Sequence, residues 1–163
     1  MHDEAKRRRL SSVTGLREFP EHLAPVQVDD EGATAAQMGR GALRVRVSAE
    51  GRDVDLVNCH LKSKLLTFPG GRFGPHDEGE RARFGAYALY RRTAEAVTVR
   101  GYADELIDGE GPERAVIVLG DLNDEPPAAT TQILLGPPVR RSALRGLKAT
   151  TGAMPGGCGT SLR

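Results

Sequence analysis

Residues 54 to 61 narrow the choice of fold more than any other stretch. Val54, Leu56, Val57, Cys59 and Leu61 fall on both parities of an extended segment, so as a strand it presents apolar side chains on two faces. Such a strand belongs inside a sheet rather than at its margin. A helical pattern follows over residues 80 to 107, where Phe84, Tyr87, Ala88, Tyr90, Ala94, Val97 and Leu106 form a rough apolar stripe. Gly109, Gly111 and Pro112 are the signals that end it. Ala115 to Leu119 is a wholly apolar run rich in β-branched residues, which predicts a buried strand. Strand, helix and strand in that order make a crossover unit, and the fold class is α/β.

Upstream, Leu43, Val45 and Val47 alternate with Arg44, Arg46 and Ser48, the pattern of a half-buried strand. Residues 49 to 52 then form a hairpin turn in which Gly51 can take a positive φ. Residues 130 to 135 read as a short helix. The predicted core is Val45, Val47, Val54, Leu56, Val57, Leu61, Val116, Ile117, Val118 and Leu119. Residues 1 to 40 are poorly patterned; their basic run, Lys6 to Arg9, reads as a solvated terminus or as a nucleic-acid contact. Residues 137 to 163, rich in Gly, Arg, Ser and Pro, show no period and are expected to lie outside the fold. The organisation expected is therefore 1–40 as an irregular segment, 41–136 as the folded core and 137–163 as a tail.

Charge and cysteines exclude more than they assign. A formal net charge of +1 over 163 residues leaves no bulk electrostatic footprint for a polyanion, so any such site has to be local. Cys59 and Cys158 are too few and too far apart in sequence for a disulfide scaffold. No apolar run approaches the length of a membrane span, no signal peptide is recognisable, and no obligate protein partner is evident. A cytoplasmic location is the expectation.

Two segments place polar residues at the carboxyl ends of buried strands, the edge at which open α/β sheets bind ligands. One is Val57-Asn58-Cys59-His60-Leu61-Lys62-Ser63, the other Val118-Leu119-Gly120-Asp121-Leu122-Asn123-Asp124. Cys59 and His60 are adjacent on a strand and point to opposite faces, so they cannot share a zinc ion. The Gly- and Pro-rich loop over residues 62 to 79 holds Lys62, Ser63, Lys64 and Arg72 with Phe68 and Phe73 interleaved. It reads either as a substrate-binding loop, with cations for phosphate and rings for a base or acyl group, or as a solvated loop pinned by its two Phe side chains.

His60-Leu61-Lys62-Ser63 resembles the His motif of the endonuclease/exonuclease/phosphatase family, and Gly120-Asp121-Leu122-Asn123-Asp124 resembles its Gly-Asp-hydrophobic-Asn motif. Both follow a hydrophobic strand, in the family's order, and the resemblance spans roughly residues 15 to 138. It implies a two-sheet β-sandwich flanked by helices, present here in part, and hydrolysis of phosphoester bonds. In it Asp121 would orient or deprotonate the attacking water. Asn123 would donate to the developing phosphorane oxygen, and His60 would contact the phosphate or protonate the leaving group. It also implies Mg²⁺ or Mn²⁺, with Asp121 and Asn123 as ligands, and a phosphodiester or phosphomonoester substrate, nucleic acid among the candidates. Lys62, Ser63, Lys64 and Arg72 would bind that substrate.

The family pattern contains a metal-binding Glu near its start and an Asp-His pair near its end. Neither is found here, and His76 is the last histidine. The chain is thus expected to be a fragment whose full activity needs residues outside it, or a non-catalytic phosphate-binding remnant of the same fold.

Overall fold

The computed structural model describes residues 9–49, 51–108, 110 and 113–136. The expected tail and the residues 1 to 8 lie outside that set. A four-stranded sheet is built from β1 (Arg9–Glu18), β4 (Gln37–Ala49), β5 (Arg52–His60) and β6 (Ala115–Asp121), in that spatial order. β1 and β4 pair antiparallel, as do β4 and β5, while β5 and β6 are parallel. Between β1 and β4 a pair of two-residue strands, β2 (Val26–Gln27) and β3 (Thr34–Ala35), forms a separate small sheet. The long helix α1 (Glu78–Ile107) makes the crossover, and the short α2 (Ala129–Leu135) follows β6. The α/β class and the interior position of residues 54 to 61 hold.

Local chemistry explains the boundaries of α1. Asp77 caps it by accepting the Glu80 N–H at 2.7 Å, leaving the acids Glu78 and Glu80 in the positive first turn. At the other end the turn is made by Asp108 in the left-handed region (φ 42°), one residue ahead of the first glycine that the sequence offers. The β4–β5 hairpin turns at Gly51, φ +76°.

One sheet face is covered and the other is not. Val57, Cys59 and Leu61, exposed by 0%, 3% and 1%, pack with Ala94, Ala96 and Val99 of α1 and with Met38 and Ala42 of β4; Val116 and Val118 border this core. The register puts Leu10 and Val13 of β1, Leu43, Val45 and Val47 of β4, Leu56 of β5, and Ile117 and Leu119 of β6 on the opposite face. None of the described helices packs over that face. This corrects part of the predicted core: Ile117 and Leu119 are 50% and 41% exposed, and Val45, Val47, Val54 and Leu56 are only half-buried. A wholly apolar strand reads as buried only if both faces are covered, and β6 also lies at the sheet edge.

Of residues 1 to 40, those from 9 on hold more order than their pattern shows, since β1, residues 9 to 18, pairs with β4. Register shifts between Leu10 and Ser12 and between Leu16 and Glu18 disrupt the two-residue alternation by which a strand is recognised. Among the described residues, no helix is long and apolar enough to cross a membrane.

Candidate functional site

The parallel pairing of β5 and β6 sets His60 directly beside Asp121, each the last residue of its strand. Their side chains project on the bare side of the sheet, in the rows of Asn58 and Leu119. His60 Nε2 lies 3.7 Å from Asp121 Oδ2, and the two side chains are 38% and 60% exposed. A polar pair so open to water contributes little to stability, so its placement calls for another explanation.

The chain turns sharply after Asp121. Gly120 sits at φ +126°, where an added Cβ would lie 1.9 Å from the Cys59 carbonyl oxygen, so only glycine allows β6 to approach β5 here. Asp121 Oδ1 accepts the Asn123 N–H at 2.9 Å, and Asn123 takes the left-handed conformation, φ 51°, which Asn tolerates better than most side chains. The Asn123 amide donates to the Leu61 carbonyl at 2.8 Å, tying the turn after β6 to the turn after β5. One hydrogen of that amide is thereby engaged.

Arg40, in a stretch that reads as a small-residue loop, completes the group. Its Nη1 is 2.8 Å from His60 Nδ1 and also contacts Nε2. A guanidinium has only donors, so the ring nitrogen it faces accepts. Arg17, Arg40, Asn58, His60 and Asp121, with Gly15 and Leu43 of the bare face, line an open cavity of about 420 Å³, large enough for a phosphoester headgroup. The available sequence signal was Gly39-Arg40-Gly41. Gly41 has φ +73°, and a Cβ there would sit 2.7 Å from the Leu16 carbonyl oxygen.

The loop cations are spread more widely than their spacing implies. Lys62 and Ser63 line a second, smaller cavity of about 220 Å³ that shares His60 and Arg40 with the first. Lys62 Nζ nevertheless donates to the carbonyls of Ser63 and Leu65 at 3.1 and 2.6 Å. Burial, reinforced by Arg91 and Arg92, lowers its ammonium pKa. Lys64 pairs with Asp124 at 2.9 Å. The Thr130 hydroxyl, followed by Lys64, holds that carboxyl well below the usual carboxylate range. Arg72 is not brought to His60: it forms a two-pronged pair with Glu80 at 2.6 and 3.1 Å and stacks over Phe68, pinning the loop to the first turn of α1. Phe68 is buried against Phe84, with ring centroids 5.0 Å apart, whereas Phe73 is wholly exposed.

A resident Mg²⁺ or Mn²⁺ finds an incomplete donor set. Asp121 and Asn123 offer side-chain oxygens, but among the described residues no three acidic, His or Cys side chains converge on one point. The nearby acids are committed elsewhere, Asp124 to Lys64 and Thr130 and Glu95 to backbone N–H groups. Mg²⁺ is ordinarily held by one or two carboxylates together with waters and substrate phosphates. Asp121 alone meets the lower end of that requirement, with Arg40 close by adding a repelling charge.

No family model and no curated protein sequence matches the chain. Among solved structures, the human Nocturnin catalytic domain with bound sulfate anion is similar at 16% identity and a TM-score of 0.46, covering 77% of this chain and 34% of that one. Sphingomyelinase C from Streptomyces griseocarneus is similar at 18% identity and a TM-score of 0.43, covering 78% and 35%. The chain thus spans about a third of the length of either structure, and a likeness this partial does not fix its chemistry.

Proposed function

We propose that this chain provides part of the catalytic surface of a phosphoester hydrolase, with His60, Asp121 and Asn123 as its reacting groups and Arg40 and Arg17 as its phosphate-binding cations. The observation that supports this most is the side-by-side placement of His60 and Asp121 at the ends of two parallel strands, with a guanidinium against the imidazole. An acid–base pair next to a cation in an open cavity is what attack of water on phosphorus requires.

In this reading the phosphoryl oxygens displace the imidazole from Arg40 and take its charge. Asp121 accepts a proton from water as the new oxygen–phosphorus bond forms. The second amide hydrogen of Asn123 donates to a phosphoryl oxygen, while protonated His60 gives its proton to the departing oxygen as the ester bond breaks. Lys62 and Ser63 border the phosphoryl position, and Lys64 and Arg72 act by holding the loop. A bound Mg²⁺ or Mn²⁺ would supply charge neutralisation, with its remaining ligands coming from outside the described residues. A cytoplasmic setting, and nucleic acid as one substrate class, belong to the same proposal.

The test is hydrolysis of bis-p-nitrophenyl phosphate with Mg²⁺ or Mn²⁺ and with EDTA, for the chain and for Asp121→Ala and His60→Ala. Turnover that falls ~10²–10⁴-fold in each variant supports the reading. The incomplete donor set favours a second reading, a phosphate-binding surface without turnover. No hydrolysis by the folded chain under any metal condition, together with inorganic phosphate binding that is lost in Arg40→Ala, would establish that second reading and overturn the first.

A further inference from the structure

We infer that Glu95 is the positioning residue of this site: its buried carboxylate clamps the backbone on either side of Arg40 and His60 and so holds the guanidinium against the imidazole. The inference rests on the reading of that pair as the phosphate-handling centre.

The β4–β5 ladder supplies the geometry. Its last rung pairs Ala42 with Cys59. Continued in the same register, Gly41 would face His60, Arg40 would face Leu61 and Gly39 would face Lys62. The strands separate there, and Glu95 bridges the Gly39–Lys62 position in place of a direct bond. The Gly39 N–H donates to Glu95 Oε1 at 3.0 Å, and the Lys62 N–H donates to Oε2 at 2.5 Å. Arg40 and His60 therefore stand in a short gap closed at one end by a ladder rung and at the other by a carboxylate from α1. The Lys62 peptide is held from its other side as well, since its carbonyl accepts from Arg92 at 3.1 Å.

Burial alone does not explain a charge here. Glu95 is 1% exposed, between Ala94 and Ala96 on the covered side of α1. Burying a carboxylate is costly, and replacing a buried ionic group by an apolar one is often neutral or stabilising. What the charge does supply is two directed, charge-assisted hydrogen bonds to two chain segments at once. Gly39 provides the room: a Cβ there would lie 3.1 Å from Arg91 Nη2 and 3.7 Å from Glu95 Oε1. Arg91 Nε lies 3.5 Å from the same oxygen, one turn back on α1, and its charge offsets that of the carboxylate.

The experiment compares Glu95→Ala, Glu95→Gln and Gly39→Ala with the parent chain, measuring kcat and KM on bis-p-nitrophenyl phosphate and amide hydrogen exchange at Gly39 and Lys62. Small displacements of reacting groups cost more in kcat than in binding, so Glu95→Ala is expected to lower kcat ~10–100-fold with KM changed less than ~3-fold. Glu95→Gln, which keeps one acceptor, should fall between that variant and the parent. Gly39→Ala, whose methyl meets only the movable end of Arg91 and which keeps the N–H that Glu95 accepts, is the control and should hold kcat within ~3-fold. Unchanged kcat and unchanged protection in Glu95→Ala would overturn the inference. If Glu95→Ala does not fold, Glu95→Gln decides by the same criteria. If the parent chain shows no turnover, hydrolysis is what has failed. The clamp is then judged by affinity for inorganic phosphate, where ~10-fold weaker binding in the Glu95 variants upholds it and equal binding overturns it.

Discussion

The two faces of the four-stranded sheet have opposite fates, and the more apolar one is the one left bare: Val57, Cys59, Val116 and Val118 share the covered face with Arg44, Arg46 and Asp55, whereas Leu43, Val45, Val47, Leu56, Ile117 and Leu119 fill the other. On one, Val57, Cys59 and Leu61 lie under α1 with almost no exposure. On the other, Leu10, Val13, Leu43, Ile117 and Leu119 keep between 41% and 61% of their surface. Apolar composition thus states what a face can bury, and only the presence of a covering layer decides whether it does. The polar chemistry follows the same division. The covered side hides committed ions, such as Glu95 on its two backbone N–H groups. The bare side leaves His60 and Asp121 open to solvent.

Substitutions can sharpen that contrast or break it. Leu61→Ala, at the centre of the covered side, should cost about 3 kcal/mol in urea unfolding, the range for a large side chain removed from a packed core. A loss below about 1 kcal/mol would mean that the covered side is loosely packed and the contrast overstated. Asp55→Asn should cost about 2 kcal/mol, because Asp55 is buried and accepts from both Arg44 and Arg46. Its effect should also depend on pH. Arg46 first, then Arg44, depresses the Asp55 pKa, so the folded state favours the ionised form. The stabilisation is then complete above the ordinary carboxylate pKa and disappears as pH falls through the depressed value. Acid titration of stability in the parent and in Asp55→Asn should therefore diverge above about pH 4 and converge below it.

On the bare face, Ile117→Thr and Leu119→Thr should shift stability by no more than about 0.5 kcal/mol each and reduce binding of a hydrophobic dye. A loss of several kcal/mol would show that this face is covered in solution. The smallest effect concerns Cys59, whose thiol is pushed up to about 11, mainly by burial. In a Cys158→Ser background the folded chain should resist alkylation at Cys59 at pH 8 and react there once unfolded. Rapid labelling of Cys59 in that folded chain would show that the covered face opens readily.

Much of this organisation is legible in the residues, and what is not has definite causes. β5 and β6 can be read because each is a dense apolar run bounded by turn residues, and α1 because its length and rough apolar stripe suit a helix; the polar clusters at 58–63 and 120–124 stand out against the apolar runs before them. β1 cannot be read that way. The irregularity at Ser11 puts Leu10 and Val13 on the same face although their spacing is odd, and no window of alternation survives it. Arg40 is hidden because it lies between two glycines in a segment that resembles a loop. Glu95 is hidden for the opposite reason, as a charge inside an apolar helical stripe, where the usual expectation is a solvated face. Arg72 looks like a ligand-binding cation because spacing alone does not reveal that Glu80, eight residues on, takes both of its prongs.

The openness of the bare face also sets the strength of the site's electrostatics. Gly15, Leu43 and Asn58 belong both to the margin of that face and to the wall of the cavity around His60 and Asp121. Two unit charges about 4 Å apart attract by about 1 kcal/mol in bulk water and by about 4 kcal/mol at the effective dielectric of a protein surface. With the margin open, Arg40, His60 and Asp121 act on one another, and on any anion among them, near the weaker limit. A layer laid over Leu43 and Leu119 would displace that water and move the same unmoved charges toward the stronger one.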